Sequence, residues 1–316
     1  MDQTTAHLEP SEAVDLPDTA TGHNIQLQAE AHTNLEEHEP AGGDIAETDD
    51  IDPDLGLLRL SPKTEVDPDL GLLQLQPLVE EPPRPPVIYA TVYSSAFLSD
   101  NTFSSTDPIE DGLVQAGIGL RAVPALGART FLVATVNGSI VRYFDETDFN
   151  YDELELGASI YRRITRRAYI DVGWQNEQFF AESGDRFLSN HQLRASIGRR
   201  DRIGPLRVNT AYQFRRSFAD PNRRSRLLNR LSLSARYPIR RDMDFGISYQ
   251  LSLIDFTDID RNDHYNQILG ELVYRPSSTT RLSLFGGGRF GSSDSDFVDF
   301  DSALIGVTFS LNIPLF

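Results

Sequence analysis

Residues 87–316 alternate apolar and polar side chains with period 2, stretch after stretch. No other feature constrains the fold as strongly. In one stretch Met243, Phe245, Ile247, Tyr249, Leu251 and Leu253 share a face, and Asp244, Gly246, Ser248, Gln250 and Ser252 share the other. Another separates Leu231, Leu233, Ala235 and Tyr237 from Arg230, Ser232, Ser234 and Arg236. A helix cannot sort residues this way, because alternate residues share a face only in a strand. Twelve such strands are expected, at 87–98, 112–123, 129–143, 151–163, 167–180, 187–199, 205–218, 226–237, 242–256, 264–275, 280–291 and 299–313.

A soluble sandwich and a membrane barrel both show this alternation. Three features favour the membrane. The strands run longer than the five or six residues usual in globular sheets. Their polar faces carry charge in every part of the domain. Aromatic residues gather near strand ends, as an interfacial girdle requires. That girdle is expected to contain Tyr143, Phe144, Phe149, Trp174, Phe179, Phe180, Phe218, Tyr237, Phe256, Tyr274, Phe290 and Phe300.

The connections alternate too. Short ones (VPALGA, RITRR, RDRIG, PIRRD, PSSTT) take turns with longer, acidic ones such as SDNTFSSTDPIED and TDIDRND. Short turns on one side and loops on the other are the signature of a transmembrane β-barrel. The expected fold is therefore all-β: an antiparallel barrel of about 12 strands, preceded by a disordered acidic tail. An even strand count puts both chain ends on the periplasmic side.

Charge divides the chain at the same place. Residues 1–86 hold 20 Asp and Glu against Arg59, Lys63 and Arg84, whereas residues 87–316 hold 27 acidic residues and 26 Arg. A tail so acidic repels nucleic acid and anionic surfaces. Its first fifty residues are too polar to offset chain entropy. A duplicated motif follows, DPDLGLLRL at 52–60 and DPDLGLLQL at 67–75. Its leucines, Leu55, Leu57, Leu58, Leu70, Leu72 and Leu73 among them, are candidates for docking on a periplasmic partner or in the barrel lumen. QPLVEEPPRPP at 76–86 reads as a stiff spacer. With no cysteine, neither a disulfide nor a thiolate metal site is available. The chain opens MDQTTAHLEP, without the basic and apolar regions of an export signal. An exported chain of this kind is expected to carry that signal upstream or to have lost it.

The chain ends GVTFSLNIPLF. A terminal Phe316 closing an amphipathic strand resembles the sorting signal of bacterial outer-membrane proteins, read by the barrel-assembly machinery. The apolar row (Leu315, Ile313, Leu311, Phe309, Val307, Ile305) is one residue out of phase with Phe316. Pro314 is expected to mark a bulge or strand end that shifts the register. With LSDNTFSS after the first strand, residues 87–316 resemble the β-barrel porin families of Gram-negative bacteria. The resemblance implies an outer-membrane location, in contact with lipid, and no catalytic residues or cofactor.

The residues themselves point away from catalysis. The barrel's two histidines, His191 and His264, fall at strand starts and are expected to be rim residues with no catalytic role. Gly286, Gly287, Gly288 and Gly291 lie within a strand pattern and lack the helix that a phosphate-cradling loop needs. The polar faces are more informative. They carry Arg121, Arg194, Arg207, Arg215, Arg230, Arg236, Arg275, Arg281 and Arg289 against Glu153, Glu155, Asp171, Glu177, Asp244 and Glu271. If the lumen conducts, these residues line the pore, and the arginine excess predicts weak anion preference. Two functions follow as expectations: a narrow porin-like channel for small polar or anionic solutes, or a closed adaptor barrel whose tail recruits a periplasmic partner.

Overall fold

The computed structural model describes residues 87–315. The acidic tail, its leucine motif, the proline spacer and Phe316 lie outside the described residues. Strands β1 (Ile88–Ser99), β2 (Asp111–Ala122), β4 (Thr130–Tyr143), β5 (Tyr151–Arg163), β6 (Ala168–Ala181) and β7 (Arg186–Ile203) form the first half of the wall. Strands β8 (Leu206–Asp220), β9 (Arg226–Pro238), β10 (Met243–Phe256), β11 (Asn262–Tyr274), β12 (Thr280–Ser293) and β13 (Ser302–Pro314) form the second. The three-residue β3 (Ala125–Gly127) only pairs with the start of β4 in the turn between β2 and β4.

Every wall strand pairs antiparallel with both neighbours. β1 closes the barrel by pairing with β2 on one edge and β13 on the other. The result is a closed 12-strand antiparallel barrel with no free edge. Closure has a physical cause: lipid offers no hydrogen bonds, so each backbone N–H and C=O must find a partner in the wall. Among the described residues no helix is long and apolar enough to cross a membrane, so crossing falls to the strands.

The apolar row faces outward. Ile118, Val136, Val172, Leu193, Ile197, Leu231, Leu233, Ile247, Ile268, Leu284 and Ile305 are all exposed large hydrophobic residues. The polar row of the same strands is turned in and buried, including Asp171, Gln175, Glu177, Gln192, Arg215, Ser252 and Ser283. This is the inverse of a soluble sandwich, where the apolar row would be the hidden one. Buried carboxylates with an exposed belt of isoleucine and leucine suit a wall surrounded by hydrocarbon.

The strands fall close to the predicted spans, with β7 running further, to Ile203. Pro314 ends β13 and pairs with Tyr89 in an unbroken register, so it is a strand end and not a bulge. Gly287 is a close-approach position: a Cβ there would collide with the carbonyl of Ile268 on the neighbouring strand. Gly287 and Gly291 therefore serve close packing between β12 and β11, while Gly286 and Gly288 lie against β13.

The described chain enters and leaves at one rim, which also carries the short turns. The opposite rim carries the longer loops, where the first loop is partly buried. Asn101, Thr102, Phe103 and Ser104 are buried between β1 and β2.

Candidate functional site in the barrel interior

The pairing register traces the inner face around the wall. Glu153 on β5 stands opposite Ser139 on β4, and Glu155 opposite Asn137 and, across β6, Glu177. Gln192 on β7 faces Gln175 and Ser217, and Arg194 faces Arg215. Arg207 faces Arg236, Arg230 faces Ser252, and Glu271 faces Gly246. Gln267 faces Arg289, Arg281 faces Ser310, and Tyr89 on β1 faces Arg121 on β2. Directly opposed residues share a side of the sheet. By strand parity all fifteen charged residues assigned to the polar faces thus lie on the inner face, with Arg275 reaching the inner-face Asp244 from just beyond β11.

Near the turn rim the interior charges are compensated. Asp244 accepts from Arg207 and from Arg275, each at 2.7 Å. Glu271 accepts from Arg236 at 3.3 Å and from Arg281 at 3.0 Å. Each carboxylate is held between two guanidinium groups, which offsets the cost of its burial.

At mid-depth the two signs separate laterally. Carboxylates occupy the β5–β6 sector and are solvated by neutral side chains. Ser139 donates to Glu153 at 3.2 Å and Asn137 to Glu155 at 3.1 Å. Gln175, Asn190 and Gln192 all donate to Glu177. Ser159 donates to Asp171 at 2.8 Å, and Arg194 lies 3.6 Å from the same carboxylate. Arginines occupy β7–β9 and β12. Arg215 and Arg230 are buried there, and Arg289 lies over the Tyr265 ring at 5.8 Å and the Phe300 ring at 6.0 Å. Arg121 instead sits over Tyr89 at 5.3 Å, near the turn rim.

Towards the loop rim the inner face turns apolar. Leu113, Val141, Tyr143, Tyr151, Phe179, Leu188 and Ala219, from β2 and β4–β8, form one cluster with Phe103 of the first loop. Leu228, Ile254, Phe256 and Tyr265, from β9–β11, form a second with Phe300 of the last loop. Phe103 stacks on Tyr143 with centroids 5.4 Å apart, and Phe300 lies 5.0 Å from Tyr265. The two loops are joined. Asn101 donates to the carbonyls of Ser105, Asp299 and Asp301, and Ser105 bridges to Val298.

The expected girdle is corrected accordingly. Phe144, Trp174, Phe218, Tyr237, Tyr274 and Phe290 are exposed. Tyr143, Phe179, Phe256 and Phe300 belong instead to the buried clusters, with Phe149 packed against the first. The signal was available in the sequence. Tyr151, Phe179 and Leu188 stand an even number of residues from Glu153, Glu177 and Asn190, so strand parity assigns them to the inner face. His191 is exposed on the outer face, stacked against Trp174 at 5.9 Å. His264 is exposed, with its ring nitrogens 3.2 and 3.3 Å from the Ser292 hydroxyl.

No protein-family model matches the chain, and no curated protein matches its sequence. Solved structures do match. An outer membrane channel from Pseudomonas putida F1 aligns with a TM-score of 0.51 at 12% identity, covering 75% of this chain and 99% of that one. The KdgM porin aligns with a TM-score of 0.42 at 14% identity, covering 69% of this chain and 98% of its own. The translocator domain of autotransporter NalP from Neisseria meningitidis aligns with a TM-score of 0.48 at 10% identity, covering 95% and 99%. The match to the Pseudomonas channel, with the closed twelve-strand wall and its outward apolar belt, shows that this chain has the fold of an outer-membrane β-barrel.

Proposed function

We propose that the chain forms a narrow, porin-like diffusion channel for small polar or anionic solutes, with the turn rim and both chain ends in the periplasm. One observation carries this reading. The inner face carries charged side chains from the turn rim to mid-depth, and at mid-depth its arginines are gathered in one sector while carboxylates occupy another. A barrel needing only a filled core is served by apolar side chains, which avoid the cost of burying charge. Charged sectors facing a lumen are the arrangement that sets ion preference. Twelve strands spaced about 4.8 Å apart and tilted about 40° enclose a backbone diameter of about 24 Å. Inward side chains narrow that bore further, which suits small solutes and excludes folded polymers.

The test is single-channel recording in a planar bilayer, with the full chain and with a chain starting at Pro86. Unitary conductance steps with weak anion preference in a salt gradient are expected. Cation preference would overturn the anionic assignment. Silence from both chains, with the barrel shown to be folded, would replace the channel with the adaptor reading.

A further inference from the structure

The described barrel is polarised along its axis. Loops 100–111, 144–150, 182–186, 220–225, 257–263 and 294–301 together hold 17 acidic residues against four Arg. The turn rim has the opposite sign. Arg129, Arg162, Arg166, Arg167, Arg199, Arg202, Arg240 and Arg241 are all exposed there. The acidic residues among these turns are Asp201 and Asp242, and Asp201 is already paired with Arg199 at 2.7 Å and Arg167 at 3.3 Å.

These arginines form an arc, not a uniform ring. They stand on the β3–β4, β5–β6, β7–β8 and β9–β10 turns, which are consecutive around the rim. Backbone hydrogen bonds link neighbouring turns within the arc: Arg163 N–H donates to the Arg129 carbonyl, and Arg200 N–H to the Arg167 carbonyl. The arc is centred on β7. The chain enters β1 at Val87, beside β13, across the circle of twelve strands from β7.

We propose that the acidic N-terminal segment of this same chain docks on the arginine arc at the turn rim. The segment carries a net charge of −17 from 20 acidic and three basic residues, and the arc faces the rim from which it is tethered. The reach fits. Glu81 and Glu80 stand six and seven residues before Val87, across the proline-rich EPPRPP. Proline-rich chain extends about 3.1 Å per residue, so these two carboxylates reach about 19–22 Å, close to the barrel's bore of about 24 Å. Glu65, Asp67 and Asp69 follow on longer tether. The acidic loop rim offers the segment only repulsion, and tethering raises its effective concentration at the arc to the millimolar range. The competing occupant is the phosphate of anionic phospholipid headgroups beside the outermost arginines.

The chain has no cysteine, so Leu78→Cys with Ile164→Cys gives a unique spin-label pair, one label on the segment and one on the arc. Electron-spin distance measurements on the full chain in zwitterionic micelles at about 20 mM salt are expected to show a distinct short-distance population. That population should fall at least about twofold at about 1 M NaCl, where the Debye length shrinks to about 3 Å. It should also disappear when Arg162, Arg166, Arg199, Arg202, Arg240 and Arg241 are all changed to Gln. A distribution unchanged by salt and by these substitutions overturns the proposal. The wild-type salt comparison decides it even if the substituted barrel does not fold. A short-distance population present in phosphatidylcholine vesicles but absent with phosphatidylglycerol assigns the arc to lipid, and that also overturns it.

Discussion

The side-chain amide of Asn101 donates to the carbonyl oxygen of Asp299 at 3.2 Å, tying the first loop to the last across 198 positions of sequence. The same amide reaches Ser105 and Asp301, and its Oδ1 accepts from the Ser105 N–H. Asn101 is 1% exposed, so its own amide has no water to fall back on. Asn101→Ala removes every one of these links between the two loops and is expected to cost about 1–3 kcal/mol of local stability. Faster amide hydrogen exchange confined to residues 100–110 and 294–301 is the expected readout. Unchanged protection there would show that Phe103 and Phe300 hold the loops without it.

Asp244 lies between Arg207 and Arg275. Asp244→Asn leaves two guanidinium groups facing each other without their shared counter-charge. A loss of about 3 kcal/mol is expected, in the range for breaking one partner of a buried ion pair. Reversible urea unfolding in micelles measures it, and adding Arg207→Gln should recover part of the loss.

The outward direction of the apolar row can be tested at Ile247, which is mid-strand and 52% exposed. Ile247→Arg should destabilise the barrel by about 2–4 kcal/mol in lipid vesicles, the cost of placing arginine in the hydrocarbon. An exposed position in a water-soluble fold would tolerate the same change within about 0.5 kcal/mol.

Gly287 has no room for a methyl group beside the Ile268 carbonyl. Gly287→Ala is expected to cost about 1–3 kcal/mol through forced displacement of β11 from β12. Thermal unfolding checks this, with Gly127→Ala, where nothing lies within 4 Å of the added carbon, as the tolerant comparison.

The interior arginines can be tested electrically. Arg230→Gln with Arg289→Gln removes two positive charges from the sector facing the β5–β6 carboxylates. The reversal potential in a salt gradient should move towards cation preference, with unitary conductance retained. An unmoved reversal potential would place the selective region elsewhere along the lumen.

Strand parity made the barrel wall legible before any coordinates. Arg207 and Arg236, or Glu271 and Arg281, could be assigned to one face because a strand repeats every two residues and the assignment needs only local sequence. Their partners could not. That Asp244 sits between Arg207 on β8 and Arg275 beyond β11 depends on the relative stagger of several strands. The loops were the least legible part. Acidic, Ser-rich composition gives no sign that Phe103 and Phe300 turn inward, because that choice is made by aromatic surfaces contributed from distant strands.

By itself, the sequence determined that this chain builds a membrane wall of twelve strands, which row faces lipid, and that its charge is divided between an acidic segment and an arginine-bearing barrel. These are properties of period, composition and connection length, all of which are local. Only the tertiary structure decided how the inner charges pair, that two apolar clusters gather at the loop end, and that the turn arginines form an arc centred opposite the chain's entry. Each of these is set by closure, which fixes which strands become neighbours and which residues meet across the lumen.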